Sequence, residues 1–240
     1  MNHVRSYEKL HNRNISFLNS NTDTCYKYQT LTSNVMKVIL GTKEGMTQVF
    51  DAQGVCHAAT VLRVVPATIT QVKVKDTDGY SSVQLASGVQ KDHRVNKAQK
   101  GHLGGSFKAV REFRPRTNYD ESVDALAKGQ VLDASTFAVG DLVVVSAISK
   151  GKGFQGGVKR HNFRGGQATH GQKHSEREPG SIGATGTHVL KGTRMAGRMG
   201  SDRVTVKNLR VLQVNSEANV LLLSGAVPGR KGTLIEVRNV

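Results

Sequence analysis

Three groupings in this 240-residue sequence have residue types and spacings that could do chemistry, and all fall in one stretch. Gly151-Lys152-Gly153-Phe154-Gln155-Gly156 has the GxGxxG spacing, follows an apolar run, and precedes Glu176 by 20 residues counted from Gly156. That is the outline of a dinucleotide fingerprint, and it would make the chain an NAD(P)- or nucleotide-dependent enzyme. The chemistry needs a helix directly after the glycines, its N-terminus aimed at the phosphates. The sequence that follows, GVKRHNFRGG, has no amphipathic period, and Glu176 ends no second strand. His170 and His174 stand at i and i+4 with Glu176 close by, as metal ligands could, but there is no HExxH pattern and no further ligand cluster. His174, Ser175, Ser181 and Asp202 supply the residue types of a hydrolase triad without the GxSxG turn that would present a serine. The sequence therefore favours no catalytic residue, no cofactor, no metal and no small-molecule substrate.

The same stretch, 150–203, suits a different chemistry. It holds 11 of the 34 Lys and Arg residues, three acidic residues and 13 of the 26 glycines, so half of the net charge of +16 lies in under a quarter of the length. Its large apolar residues, Phe154, Val158, Phe163, Ile182, Val189, Leu190, Met195 and Met199, are scattered with neither a strand nor a helix period. Eight scattered side chains cannot offset the conformational entropy of ordering 54 residues, so something outside the segment must help to order it. A polyanion that accepts Lys and Arg contacts, with glycine admitting close approach to the backbone, meets that need. The stretch is read as an RNA-penetrating extension, with Lys150, Lys152, Lys159, Arg160, His161, Arg164, His170, Lys173, Arg177, Lys191, Arg194, Arg198 and Arg203 as candidate RNA-binding residues. A general basic nucleic-acid-compacting protein is the alternative within the same class.

The whole chain agrees with a nucleic-acid partner. A pI near 10.1 favours a polyanion, while 5% aromatic content and no Trp count against base stacking as the main mode of recognition. Cys25 and Cys56 form no CxxC pair and no disulfide framework. No apolar run approaches the ~20 residues that span a bilayer, and the first 35 residues lack the apolar core of a signal peptide. A soluble, non-secreted protein with no membrane partner is expected.

The elements that must position the stretch are strands. Residues 1–35 are polar and read as a disordered tail, from an upstream translation start or a transit peptide. From Met36 the expected order is MKVILG, a turn at TKEG, MTQVF, a turn at DAQG, and VCHAATVLRVV. ITQVKVK and YSSVQLA flank DTDG, a hairpin signal. Residues 87–115 read as a basic insertion on the barrel's side with one short helix near 95–100. GQVLDAS and DLVVVSAI lead into the basic stretch, and RVTVKNLRVLQVN, ANVLLLSG and GTLIEVRN follow it. About eight short strands on both sides of a long excursion predict a mainly β protein. Its body, 36–149 with 204–240, is then a closed antiparallel barrel with little helix.

GMTQVF at 45–50, SKGKGFQGGVKRHNFRGG at 149–166, ATHG at 168–171, PGSIG at 179–183, GTRMAGRMG at 192–200 and RVTVKNL at 203–209 stand in the order and spacing of a known family. From Met36 to Val240 the chain resembles the bacterial type of large-subunit ribosomal protein L-three. The resemblance implies a translation-protein-type β-barrel on a cytoplasmic ribosome and direct binding to large-subunit rRNA. It also implies early action in subunit assembly, L-fourteen and L-nineteen as neighbours, and an extension running toward the peptidyl transferase centre. The small residues Gly180, Ser181, Gly183, Ala184, Thr185 and Gly186 would form the tip, in a narrow approach between RNA helices. The resemblance begins near Met36, which favours that residue as the family-like start. Two departures stand out: no glutamine follows PGSIG as a methylation target, and Glu176 and Glu178 flank Arg177, where they are expected to pair with it.

Overall fold

In the computed structural model, which describes residues 36–115, 123, 126–183, 186 and 188–239, the consecutive apolar residues Val38, Ile39 and Leu40 are all buried. A strand can do this only if both of its faces are covered. The expectations for the 1–35 tail and for Ala184 and Thr185 at the tip lie outside the described residues. In chain order the elements are β1 (Val38–Phe50), β2 (Cys56–Val64), β3 (Ala67–Lys73), α1 (Lys75–Asp78), β4 (Ser82–Val89), α2 (Lys97–Leu103), β5 (Phe107–Phe113), β6 (Val131–Leu132), β7 (Leu142–Ile148), β8 (Gly153–Gln155), α3 (Gly157–His161), β9 (Gly197–Met199), β10 (Arg203–Asn215), β11 (Val220–Ser224) and β12 (Leu234–Asn239).

Six of these strands close a ring in the order β1-β12-β7-β10-β11-β2, with every neighbour antiparallel. The expected class, mainly β, antiparallel and poor in helix, is what forms. The body nevertheless has two cores. Ile39, Leu62, Val143, Val145, Leu221, Leu223, Ile235 and Val237 pack inside the ring. Val38 and Leu40 face the other way and pack with Ala67, Ile69, Val83, Leu85 and Phe113, residues of a second, four-stranded sheet in the order β5-β4-β3-β6. Alternation along β1 thus makes it the wall shared by the two cores.

Three local expectations change. TKEG is no turn: β1 runs unbroken through it and keeps β2 as its partner on both sides of a register shift between Lys43 and Gly45, while its pairing with β12 ends at Thr42. Glu44, at the shift, pairs with Arg63 at 2.7 Å. The DTDG hairpin is real, since β3 pairs with β4, but its connection is a single helical turn closed by Gly79 at φ 78°, whose N–H donates to the Lys75 carbonyl. Residues 87–115 supply β5, which pairs with β4 from Val89↔Phe107 to Val83↔Phe113. Burying Phe113 fixes that strand in the second sheet.

One polar tie fastens the start of β1 to the start of β7. Lys37 Nζ donates to Asp141 Oδ2 at 2.7 Å, and the same carboxylate accepts the Ala138 N–H at 3.0 Å. Burial alone would raise the Asp141 carboxyl, but the Lys37 hydrogen bond, the Ala138 N–H and the Lys37 charge outweigh it and hold the group below its usual range. The tie is therefore fully present above the unfolded-state value near 3.8 and is lost as pH falls through the lower native value. Asp141→Ala should cost about 1–2 kcal/mol at neutral pH. In denaturant titrations the gap between the two proteins should narrow as pH drops below about 4; a gap constant from pH 7 to pH 2 would show that the charge is irrelevant.

Candidate nucleic-acid interface

The extension is a prolonged hairpin. β7 ends and β10 begins directly opposite each other, Arg203 facing Ile148 in register. The ladder continues outward: Ser149 N–H donates to Asp202 O at 2.9 Å and Lys152 N–H to Met199 O at 2.9 Å, and then β8 pairs with β9, Phe154 facing Arg198. Gly200 makes the continuation possible. Its φ is 75°, and a Cβ there would lie 2.1 Å from the Lys150 carbonyl oxygen, so only glycine lets the two legs come this close.

Beyond the ladder, α3 turns the outgoing leg back over the returning one. Arg160 Nη1 donates to Met195 O at 2.7 Å, and His161 Nε2 sits 3.0 Å from the same oxygen. Gly197 leaves room for the guanidinium, since a Cβ there would be 2.9 Å from Arg160 Nη1. Gly157 is buried against the Phe163 ring, which lies 5.6 Å from the His161 ring. Further out, Gly166 N–H donates to Glu176 O at 2.9 Å, closing the 166–176 loop. These elements escape a reading of hydrophobic period because backbone bonds and glycines hold them, with one small aromatic contact.

The alternative GxGxxG reading does not yield a phosphate cradle, although a five-residue helix, α3, does follow the glycines where the sequence showed no helical period. Residues 153–155 of the motif are strand β8, and the Lys152 N–H is committed to Met199. His170, at φ 59°, and Gly171, at φ 80°, form a turn, so His170 and His174 do not share a helix face.

The candidate cations divide into two groups. Arg160 and His161 are half-buried and hold the Met195 carbonyl. Arg198 pairs with Asp202 at 3.0 Å, and Arg203 pairs with Glu236. Lys150, Lys152, Lys159, Arg164, His170, Lys173, Arg177, Lys191 and Arg194 are exposed. Among the described residues none of these nine forms an ion pair, and the expected pairing of Arg177 with Glu176 or Glu178 is not made. Gly180, Ser181, Gly183 and Gly186 of the tip are exposed. Burial, with a smaller contribution from the neighbouring Lys150 cation, pushes the Lys43 ammonium below its ordinary range. Sequence reasoning left out the exposed Lys207 and Arg210 of β10 and the exposed Lys91, Arg94, Lys97 and Lys108 beside the second sheet. The clustered charge of 91–108 was the available signal.

A barrel that holds a glycine-rich arm by its hairpin root, with cations along both legs that form no ion pair among the described residues, has the features of a polyanion-binding protein. Comparison with known proteins narrows the class. The family described as Ribosomal protein L3 matches residues 116–220. The large ribosomal subunit protein uL3 of Acidothermus cellulolyticus is 47% identical over 205 residues, covering 85% of this chain and 92% of that protein. Its counterpart in Streptomyces coelicolor is 48% identical over 209 residues, 85% and 95% of the two chains, and that of a Nostoc species 46% over 201 residues, 83% and 94%. The chain belongs to the ribosomal protein L3 family.

The root geometry makes a direct prediction. Gly200→Ala should speed hydrogen exchange at the Lys152 amide by about tenfold or more by prising β8 from β9, while the amides of Val143 and Val145 in the barrel stay unchanged. Unaltered protection at Lys152 would mean that the close approach of Gly200 to Lys150 does not hold the root.

Proposed function

We propose that this protein is a structural constituent of the large ribosomal subunit that binds its rRNA directly, without catalysis, through the arm at 150–203. The observation that carries the reading is the division of charge along that arm. Acidic partners sit only at its root, on Asp202 and Glu236, and the outer cations have none among the described residues. Phosphates supply the missing counter-charge, and the entropy of released counterions drives the contact. The relatives are large ribosomal subunit proteins, which favours this assembly over general compaction of nucleic acid. The reading places the chain in the ribosome, cytoplasmic in bacteria; among the described residues no helix is long and apolar enough to cross a membrane.

Within the subunit the arm acts early in assembly and extends toward the peptidyl transferase centre, with L-fourteen and L-nineteen as protein neighbours of the body. Reach supports this. About 27 residues out and 27 back span up to roughly 90 Å, or half that with turns, against a radius of gyration near ~15 Å for a barrel body of this size. The small residues of the tip suit a narrow gap between RNA helices.

The two parts of the arm should separate genetically. Neutralising Lys159, Arg164, Lys191 and Arg194 together should leave large subunits as slowly sedimenting precursors. Gly183 has open space where a Cβ would point, so Gly183→Trp changes chiefly what the tip fits into. Subunits carrying it should sediment normally and show altered peptidyl transfer or altered sensitivity to drugs at that centre. Assembly blocked by the tip change and untouched by the leg changes would contradict the proposal.

A further inference from the structure

Pairing on the two sides of β1 ends at different points. On one side β12 stops at Thr42, and one last exchange follows: Lys43 N–H donates to Thr233 O at 3.1 Å, and Gly232 N–H donates to Lys43 O at 2.7 Å. On the other side β2 stays alongside as far as Phe50. Residues 45–50 therefore have β2 as one neighbour and, among the described residues, no backbone partner on the opposite edge. The turn shows which groups are left over. Asp51 N–H donates to Val55 O at 3.1 Å, so alternation along the antiparallel ladder directs the backbone groups of Val49 and Thr47 at β2 as well. The N–H and C=O groups of Met46, Gln48 and Phe50 point outward.

Edges of this kind are ordinarily guarded by charged side chains, proline or a bulge within the exposed run. GMTQVF has no charge and no proline, and the register shift lies ahead of it, between Lys43 and Gly45. Met46 is 53% exposed and Phe50 65%. With Gln48 and the exposed cross-strand residues Cys56 and Ala58 they make one uncharged face. The tip of the ribbon is braced, because the Asp51 carboxylate accepts the Gln53 and Val55 N–H groups at 2.9 Å each and lies 3.1 Å from His57 Nε2. The edge is thus held extended before any partner arrives.

Charge decides what kind of partner it suits. No Lys or Arg stands between Lys43 and Arg63, and the acids there are Glu44, paired with Arg63, and Asp51. Asp51 is exposed and, among the described residues, has no Lys or Arg against it. The Val55 N–H, followed by the His57 hydrogen bond, holds its carboxyl below the usual range, so it is ionised at neutral pH. Phosphate is repelled by such a surface, and a second copy of the chain brings another net charge of +16. A polypeptide strand with apolar side chains at alternate positions, and Lys or Arg where it passes Asp51, matches both the backbone and the charge.

We infer that the free edge of β1 at Met46, Gln48 and Phe50 is a docking site for an extended strand of another protein. The strand adds to the sheet by main-chain hydrogen bonds, sets its apolar side chains against Met46 and Phe50, and places a cation on Asp51. This goes beyond the rRNA-binding reading: the site takes a polypeptide, and it lies on a strand that has neither β7 nor β10 of the arm's root as a neighbour.

The test uses the full chain and two synthetic peptides of alternating Val and Thr, about eight residues long so as to span GMTQVF, one with Lys at both ends and one with Glu. The lysine-ended peptide should slow hydrogen exchange at the Met46, Gln48 and Phe50 amides by about tenfold or more. It should also bind about threefold more tightly than the glutamate-ended one. Gln48→Pro removes an outward N–H and spares the bonds to β2, so it should weaken the lysine-ended peptide by about fivefold or more. Gln48→Val keeps that N–H and should bind as the unaltered chain does. Unchanged exchange at Thr47 and Val49 in both variants shows that the hairpin is intact. No slowing at the three outward amides with the lysine-ended peptide overturns the inference. So does slowing that appears without peptide as the chain self-associates, which gives the edge to a second copy, or slowing by an rRNA transcript and not by the peptide, which gives it to RNA. Each of these results leaves the arm's reading standing, and a failure of the arm to bind rRNA leaves this site standing.

Discussion

The antiparallel pairing of β7 with β10 is the constraint on which the rest of the molecule depends. Ile148 and Arg203 face each other at the end of that ladder, so 54 residues of arm leave and return at one point. Closing a longer loop costs only logarithmically more, and a barrel that already holds both ends can carry a long insertion. The same point is tied to the rest of the body by Glu236 of β12, a mostly buried carboxylate paired with both Arg111 of β5 and Arg203 at the arm's root. One acid thus links the ring, the second sheet and the arm. Removing either arginine leaves Glu236 paired with the other, so the acid keeps a partner when one tie is lost.

Outward from this root the forces change. In the body, apolar burial on both faces of β1 supports two cores. At the root, backbone bonds and the Gly200 approach take over, followed by the Arg160 and His161 contacts to Met195. Past Glu176 the described residues are exposed or half-buried and hold themselves by local turns, such as Thr193 donating to Leu190 O at 2.7 Å. The cations are densest near the root, eight of the arm's 11 Lys and Arg residues lying in 150–164 and 194–203. Under the proposed function the root is organised by the protein itself and the outer arm by the polyanion it meets.

Much of this was legible in the sequence, for definite reasons. β7, β10, β11 and β12 show as short apolar runs between turn residues, and the charge and glycine content of 150–203 marks the arm without any structure. Family membership was legible in motifs such as GMTQVF and GTRMAGRMG. Other features were hidden. The run Val38-Ile39-Leu40 does not say that its faces serve different cores, and TKEG has the composition of a turn although Glu44 only bulges the strand. Arg160 and His161 looked like phosphate ligands because their type and surroundings match the other cations. Their contact with the Met195 carbonyl, 35 and 34 residues away, leaves no periodic trace. The cations beside the second sheet were visible as charge, but nothing in the sequence shows that Asp92 is consumed by Ser106 and Lys100.

Cross-linking inside the native particle tests the central claim most directly. Large subunits purified from cells making this chain can be irradiated with ultraviolet light and digested, and the peptide–RNA adducts sequenced by mass spectrometry. The account predicts that the chain is present in the particle and that adducts to large-subunit rRNA fall on both legs of the arm, within 159–177 and 188–198. Finding the chain in the subunit with adducts confined to the barrel strands and none on the arm, or not finding it in the particle at all, would contradict it.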